Sequence, residues 1–260
     1  MDRHRAAAWL AMALCIAAAV SFAACGGDDN AKPTSTAATA AATASTGPAP
    51  TKIASTGSST YDKLIAQMQQ IDYPKDLISG TTLGKPDAKV TIQMFEDFTC
   101  PHCLEFNAAL EQQIVDQLVK TGKAKLEFHY FPLRDSSIPL MVGAACANDQ
   151  GEFWEYQRRL FIEQARVDAM PADKYSDGMT AAFGDAGLKK YAADLGLDAA
   201  KFATCLTSQA PIDTIQADVA ITNNLNLPGT PSLIVNGKFL GDNAPSTIDG
   251  WVTLVDDASK

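Results

Sequence analysis

The sequence predicts an α/β fold with a helical segment inserted between its strands. Three observations carry that prediction. An alternating run at 89–98 leads directly into Cys100-Pro101-His102-Cys103, which opens an amphipathic helix, and a second alternating run follows at 125–131. Strand, helix, strand in that order is a βαβ unit. A helix-patterned stretch over 136–225 then precedes a hydrophobic run with a hairpin signal at 232–240. The 260-residue chain is 47% hydrophobic, which allows one or two domains with a sizeable core and excludes disorder throughout.

The first 60 residues fall outside that fold. Arg3 and Arg5 precede an uncharged run at 6–24, the basic and apolar regions of an export signal. The run ends Phe22-Ala23-Ala24-Cys25-Gly26, which resembles a bacterial lipobox. By that resemblance 1–24 is a lipoprotein signal peptide, and Cys25 becomes the lipidated first residue of the mature chain. An uncleaved membrane anchor or an ordinary signal peptide are the alternatives, since the run is nearly long enough to span a bilayer. All three export the folded part of the chain. Residues 25–60 form an Ala/Thr/Ser/Gly/Pro tract with almost no large apolar side chain, expected to be a disordered tether. Charge divides the same way: the whole chain carries −9, residues 1–59 carry +1, and the remainder −10. That acidic balance argues against a nucleic-acid partner.

Within the folded part, 89–98 (KVTIQMFEDF) reads as a strand. Pro101 suits the first helical position, where its missing N–H costs nothing. The helix reaches about Thr121, with Leu110, Ile114, Val115 and Leu118 on its apolar face and Gly122 at its stop. The strand at 125–131 (KLEFHYF) ends at Pro132. A helical stretch at 137–164 carries Met141, Ala145, Phe153, Trp154, Leu160 and Phe161, with a break at Gln150-Gly151. Shorter helices are expected at 188–195, 198–208 and 212–225. Residues 232–235 form a strand, Asn236-Gly237 a hairpin turn, and 238–240 the return. In the last helix, 246–258, Ile248, Trp251, Val252 and Val255 form one stripe, and Ser246 with Asp249 resembles a capping box. Phe153, Trp154 and Trp251 read as core. The expected organisation is an α/β domain from 61–135 and 226–260, interrupted by a helical domain at 136–225.

Of six cysteines, Cys15 leaves with the signal and Cys25 is the lipidation candidate. Cys100, Cys103, Cys146 and Cys205 remain, an even count that suggests two pairs in an oxidising compartment. A CxxC that follows a strand and opens a helix points to a redox dithiol. Free N–H groups and the helix dipole favour an anion there, so Cys100 is expected as an exposed thiolate. Cys103, one turn on, faces inward and closes the disulfide. His102 adds positive charge and a donor beside the sulfur. One alternative is half a zinc site, which needs a second ligand pair that Cys146, Cys205 and His129 do not offer at close spacing. The other is a purely structural Cys100–Cys103 disulfide, disfavoured by strain in so short a loop. The redox reading needs no metal or other cofactor beyond the Cys100–Cys103 disulfide itself.

The CPHC at 100–103 resembles the active-site tetrapeptide of the DsbA family of disulfide oxidases, which have a thioredoxin fold with an inserted helical domain. Gly229-Thr230-Pro231 before a late strand, the 146–156 segment, Leu160-Phe161, Gln164, Leu195-Gly196-Leu197-Asp198, Phe202 and Cys205 extend the likeness over about 82–258. The resemblance implies a cis Thr230–Pro231 bond beside the CxxC, with Thr230 backbone groups that pair with a substrate chain. It also implies a structural Cys146–Cys205 disulfide; two buried free thiols are the alternative. Many relatives carry an acid six residues before the first active cysteine, where this chain has Met94. Glu96 and Asp97 stand nearby, Asp97 at a common family aspartate, and either is surface charge or a buried acid serving proton transfer.

The function expected is a membrane-tethered, exported thiol–disulfide oxidase acting on unfolded or reduced exported proteins at the outer face of a bacterial cytoplasmic membrane. The resemblance implies a membrane reoxidant of DsbB-like or vitamin K epoxide reductase-like type. A reductase or isomerase of the same fold, or a non-enzymatic chaperone or binding lipoprotein, are the alternatives.

Overall fold

The computed structural model describes residues 55–260; the export signal, Cys25 and residues 25–54 of the expected tether lie outside them. Residues 55–60, also expected as tether, differ: 55–58 turn back onto the start of the first helix, and 59–60 belong to that helix. Asp62 accepts hydrogen bonds from Thr56 N at 2.7 Å and Thr56 Oγ1 at 2.8 Å. Helix α1 comes next, at Ser59–Met68. Tyr61, Leu64, Ile65 and Met68 lie at i, i+3, i+4 and i+7, and Ile65 and Met68 are buried.

Two short antiparallel strands, β1 (Ile78–Ser79) and β2 (Thr82–Leu83), lead to β3 (Val90–Glu96). Helix α2 then occupies 101–119. It is α-helical at Pro101–Phe106 and widens to π-helix at Asn107–Glu111 and Val115–Val119. Strand β4 (Ala124–Tyr130) lies parallel to β3, from Val90 opposite Ala124 to Glu96 opposite Tyr130. Between β4 and the next strand run α3 (Ile138–Asn148), α4 (Phe153–Asp168), α5 (Ala172–Phe183), α6 (Asp185–Asp194), α7 (Ala199–Leu206) and α8 (Ala210–Asn224). The chain ends with β5 (Ser232–Val235), β6 (Lys238–Phe239) and α9 (Ile248–Ala258). The sheet order is β1-β2-β4-β3-β5-β6, with β5 antiparallel to β3.

Aromatic side chains bind the helical segment to the sheet. Phe98 lies 5.4 Å from Phe128 and 5.4 Å from Phe161, and Phe128 lies 5.0 Å from Phe153, centroid to centroid. Each such pair adds about 0.5–1.5 kcal/mol beyond area burial. Trp154 and Trp251 are core residues. Asp218 on α8 accepts from Tyr130 N at 2.8 Å and pairs with His129, which stacks on Phe95. Cys146 and Cys205 are joined by a disulfide (Cα–Cα 5.6 Å) that ties α3 to α7 across 59 residues.

Several boundaries differ from expectation. Helix α5 interrupts what reads as a gap between helices. Its stripe is masked by Gly178, a buried residue with no side chain to show the period. The break expected at Gln150-Gly151 is present, separating α3 from α4, with Gly151 at φ +80°. The last helix is capped by Thr247 rather than Ser246: Thr247 Oγ1 accepts from Gly250 N, and the helix starts at Ile248. Asn236 and Gly237 both take positive φ, as a tight hairpin turn requires.

Candidate active site

Strand β3 runs straight at the start of α2, and Asp97 shapes the turn between them. Its carboxylate accepts from Thr99 N (2.7 Å), Thr99 Oγ1 (2.8 Å), Leu133 N (2.7 Å) and Ser137 Oγ (2.7 Å). Cys100 N donates to Asp97 O at 3.0 Å, which sets Cys100 as the residue capping α2, with Pro101 in the first turn. Antiparallel pairing of β5 with β3, Phe95 opposite Ser232, carries the preceding loop alongside the same turn. That loop contains a cis Thr230–Pro231 bond. The Cys100 thiol donates to Thr230 O at 3.3 Å.

Cys100 and Cys103 are both present as free thiols, and both are buried. Cys100 is 5% exposed, so the exposed sulfur expected from the sequence is corrected: the Thr230–Pro231 loop covers it. Hydrogen bonding from the Cys103 thiol pulls the Cys100 sulfur down to about 5 from an ordinary 9. Burial opposes this, while Thr230 and the backbone N–H groups of Cys103 and His102 reinforce it. The Thr230 hydroxyl is buried and has no hydrogen-bond partner; the Thr230 atom in hydrogen-bond reach of the sulfur is the backbone carbonyl. Cys103 goes the other way: burial first, then donation to Cys100 and the nearby charge of Glu96, push its thiol well above the usual range.

The His102 expectation is also corrected. Its imidazole points outward and meets Glu105 at 3.2 Å, with both side chains exposed. What His102 offers the sulfur is its backbone N–H. The position follows from helix geometry, since the first-turn N–H groups have no intrahelical acceptor.

Glu96 and Asp97, open between surface charge and buried acid, are both fully buried. Side chains alternate along a strand, so Glu96 shares the sheet face of Met94 and the acid keeps its orientation two residues further on. Glu96 Oε2 accepts from Asn107 Nδ2 at 2.7 Å, and Asn107 Nδ2 also reaches Cys103 O at 2.8 Å. Burial raises the Glu96 carboxyl well above the usual range, against the Asn107 hydrogen bond. Sequence reasoning missed Asn107, Glu111, Gln157 and Tyr73, which continue this buried polar set. The available signal was the intrusion of Asn107 and Glu111 into the apolar stripe of α2. Among the described residues, no three His, Cys, Asp or Glu side chains converge as a metal set.

A family model described as thioredoxin matches residues 77–257. The chain is 26% identical over 161 residues to the probable disulfide bond formation protein D of Bacillus anthracis, covering 61% of this chain and 70% of that protein. It is 27% identical over 178 residues to Na(+)/H(+) antiporter NhaA 3 of Salinispora tropica, covering 67% of this chain. The chain thus spans about a quarter of the antiporter's length, 24%. In fold it is similar to oxidised BdbD from Bacillus subtilis, with a TM-score of 0.57 at 21% identity over 69% of this chain and 92% of that one. It is also similar to α-DsbA1 of Wolbachia pipientis, with a TM-score of 0.54 at 20% identity over 74% and 95%. With the model match spanning most of its length, and a CPHC helix start facing a cis-proline loop, the chain belongs to the thioredoxin family as a DsbA-like member.

Proposed function

We propose that the protein is an exported, membrane-tethered thiol–disulfide oxidase that introduces disulfide bonds into secreted or envelope proteins. The observation that carries this reading is the placement of the two sulfurs: Cys100 caps α2 beside the cis Thr230–Pro231 loop and Cys103 is buried one turn on, so hydrogen bonds favour Cys100 as thiolate while burial holds Cys103 as thiol. A sulfur that is stable as an anion is a good leaving group, and a dithiol stabilised this way makes the corresponding disulfide a strong oxidant.

In the proposed cycle a client thiolate attacks Cys100 Sγ of the Cys100–Cys103 disulfide. The S–S bond breaks and its electron pair goes to Cys103 Sγ, which takes the proton held by Glu96. A second client thiolate then attacks the client sulfur of the mixed disulfide, and Cys100 departs as a thiolate. The client has lost two electrons and gained a disulfide; the enzyme has become a dithiol. The client chain lies against the Thr230–Pro231 loop as an added strand, drawing on Thr230 backbone groups. Pro101 and His102 tune the site through the helix start they form. A membrane reoxidant, DsbB-like or vitamin K epoxide reductase-like, restores the disulfide.

The helical segment at 136–225 acts as an inserted domain braced by Cys146–Cys205. Anchoring rests on the Cys25 lipobox, with 25–54 as tether. A mature chain that starts at Cys25 and carries a diacylglyceryl group supports the anchor, and any other mature start overturns it. The activity is tested by giving the oxidised protein a reduced, unfolded multi-cysteine client and by measuring its potential. Rapid client oxidation and a potential well above that of thioredoxin, about −270 mV, are expected. A potential near thioredoxin's removes the oxidase assignment.

A further inference from the structure

Behind Cys103, a chain of uncharged side chains leads away from the redox pair. Tyr73 Oη donates to Gln157 Oε1 at 3.0 Å, and Gln157 Nε2 donates to Asn107 Oδ1 at 3.4 Å. Asn107 Nδ2 then donates to Glu96 Oε2 at 2.7 Å. All of these residues are buried. Every donor points towards Glu96, so the dipoles add in one direction and favour negative charge at that carboxyl. Tyr73 lies in the connection after α1 and Gln157 on α4, both outside the βαβ unit that holds the cysteines.

Glu111 stands beside the same chain, at the end of the first π-helical stretch of α2. It is 1% exposed, and neither carboxyl oxygen has a hydrogen-bond partner of ordinary geometry, although Tyr73 and Gln157 adjoin it. A buried carboxyl without a bonded partner resists ionisation. The charged groups facing it come from α4: Arg158 lowers its proton affinity and Glu155 raises it. Helix α1, packed on 107–111, buries Ile65 and Met68, and α9, packed on 112–119, buries Trp251 and Val255. Burial is the dominant influence and pushes Glu111 up to about 8. Charge on Glu111 is in turn felt at Glu96.

We propose that Gln157 and Glu111 are working parts of the dithiol site: Gln157 is a positioning residue that holds the Asn107 amide on Glu96, and Glu111 is a second buried carboxyl that gains proton occupancy when the cysteine pair is reduced. The inference deepens the proposed function and rests on Cys100 and Cys103 being the redox pair. Two electrons from a client dithiol break the S–S bond, Cys103 becomes a thiol and Cys100 remains a thiolate. That new negative charge raises the proton affinity of Glu96 and Glu111, so solvent supplies a further fraction of a proton. Reoxidation returns it.

The test is the reduction potential of the full mature chain from pH 5 to 9, read from its equilibrium with glutathione after the pH dependence of the glutathione couple itself is subtracted. With Cys100 ionised, one proton accompanies two electrons, so the constant of the protein's half-reaction changes about tenfold, about 30 mV, per pH unit. The wild type is expected to exceed tenfold per unit around pH 8, where Glu111 titrates. Glu111→Gln is expected to reduce that excess, and Gln157→Met to move the remaining Glu96 part to higher pH. Profiles for both variants that run parallel to the wild type overturn the proposal. An infrared difference spectrum of the wild type, oxidised minus reduced, supplies the same decision without a variant. Two perturbed carboxylic C=O bands support it, and one or none overturns it. A potential near thioredoxin's would remove the oxidase reading yet leave these slopes to decide the role of Gln157 and Glu111.

Discussion

Replacing Asp97 by asparagine tests how the cysteine turn is held. The carboxylate takes four donors, two on each oxygen, at 2.7–2.8 Å, and it is fully buried. Asparagine has nearly the same shape but turns one oxygen into an NH2 group. Whichever way the amide is placed, a backbone N–H, the buried one of Thr99 or the part-buried one of Leu133, then faces another donor. Losing one charge-assisted bond and leaving that N–H unsatisfied costs about 3 kcal/mol. For a folded part of this size, that lowers Tm by about 6–12 °C. Urea unfolding of the oxidised protein reads the difference directly. Ser137→Ala, which removes only one hydroxyl donor, serves as the graded control at about 1 kcal/mol. An Asp97→Asn loss below about 0.5 kcal/mol would refute the claim that this carboxylate organises the turn.

The same geometry sets four further outcomes. Cys100 ionises near pH 5 when folded against about 8.5 when unfolded, so its thiolate contributes fully above about pH 8.5 and nothing once pH has fallen through 5. At pH 7 that is worth up to about 3 kcal/mol to the reduced form; the difference between reduced wild type and Cys100→Ala across pH isolates it, and a flat difference contradicts it. His102→Ala is expected to change the dithiol equilibrium less than about tenfold, because the imidazole faces Glu105 and the backbone N–H survives; a larger shift would restore the side chain to the site. Iodoacetamide is expected to label Cys100 and spare Cys103 in the folded reduced protein, read by peptide mass; equal labelling contradicts the opposed sulfurs. The paired change Cys146→Ala, Cys205→Ala opens a 59-residue loop and is expected to cost about 4 kcal/mol by chain entropy, measured by denaturant unfolding.

The βαβ unit and the hairpin at 236–237 were legible because each obeys a local rule: alternation in β3 and β4, Pro101 in the first helical turn, positive φ at Asn236-Gly237. Strands β1 and β2, two residues each, are too short to show any period. Helix α5 was hidden because a glycine occupies its buried stripe, whereas α1 carries a full i, i+3, i+4, i+7 pattern obscured by the Ser/Thr tract beside it. At the site, local pattern picks out the CPHC and Thr230-Pro231 segments singly; the family resemblance places them side by side, and the Phe95–Ser232 register is the physical reason they meet. The burial of Glu96 and Asp97 depends on β4 and the helical segment closing over them, which no local pattern announces. The outward turn of His102 is likewise a matter of rotamer and of Glu105 one turn on.

Every step proposed for this site depends on where the charge of Cys100 resides. The direct measurement is the pH titration of the Cys100 thiolate in the reduced chain, followed by its ultraviolet absorbance with Cys100→Ser as the blank. A midpoint near pH 5 is predicted. A midpoint near 8.5, that of a free cysteine, would contradict the account.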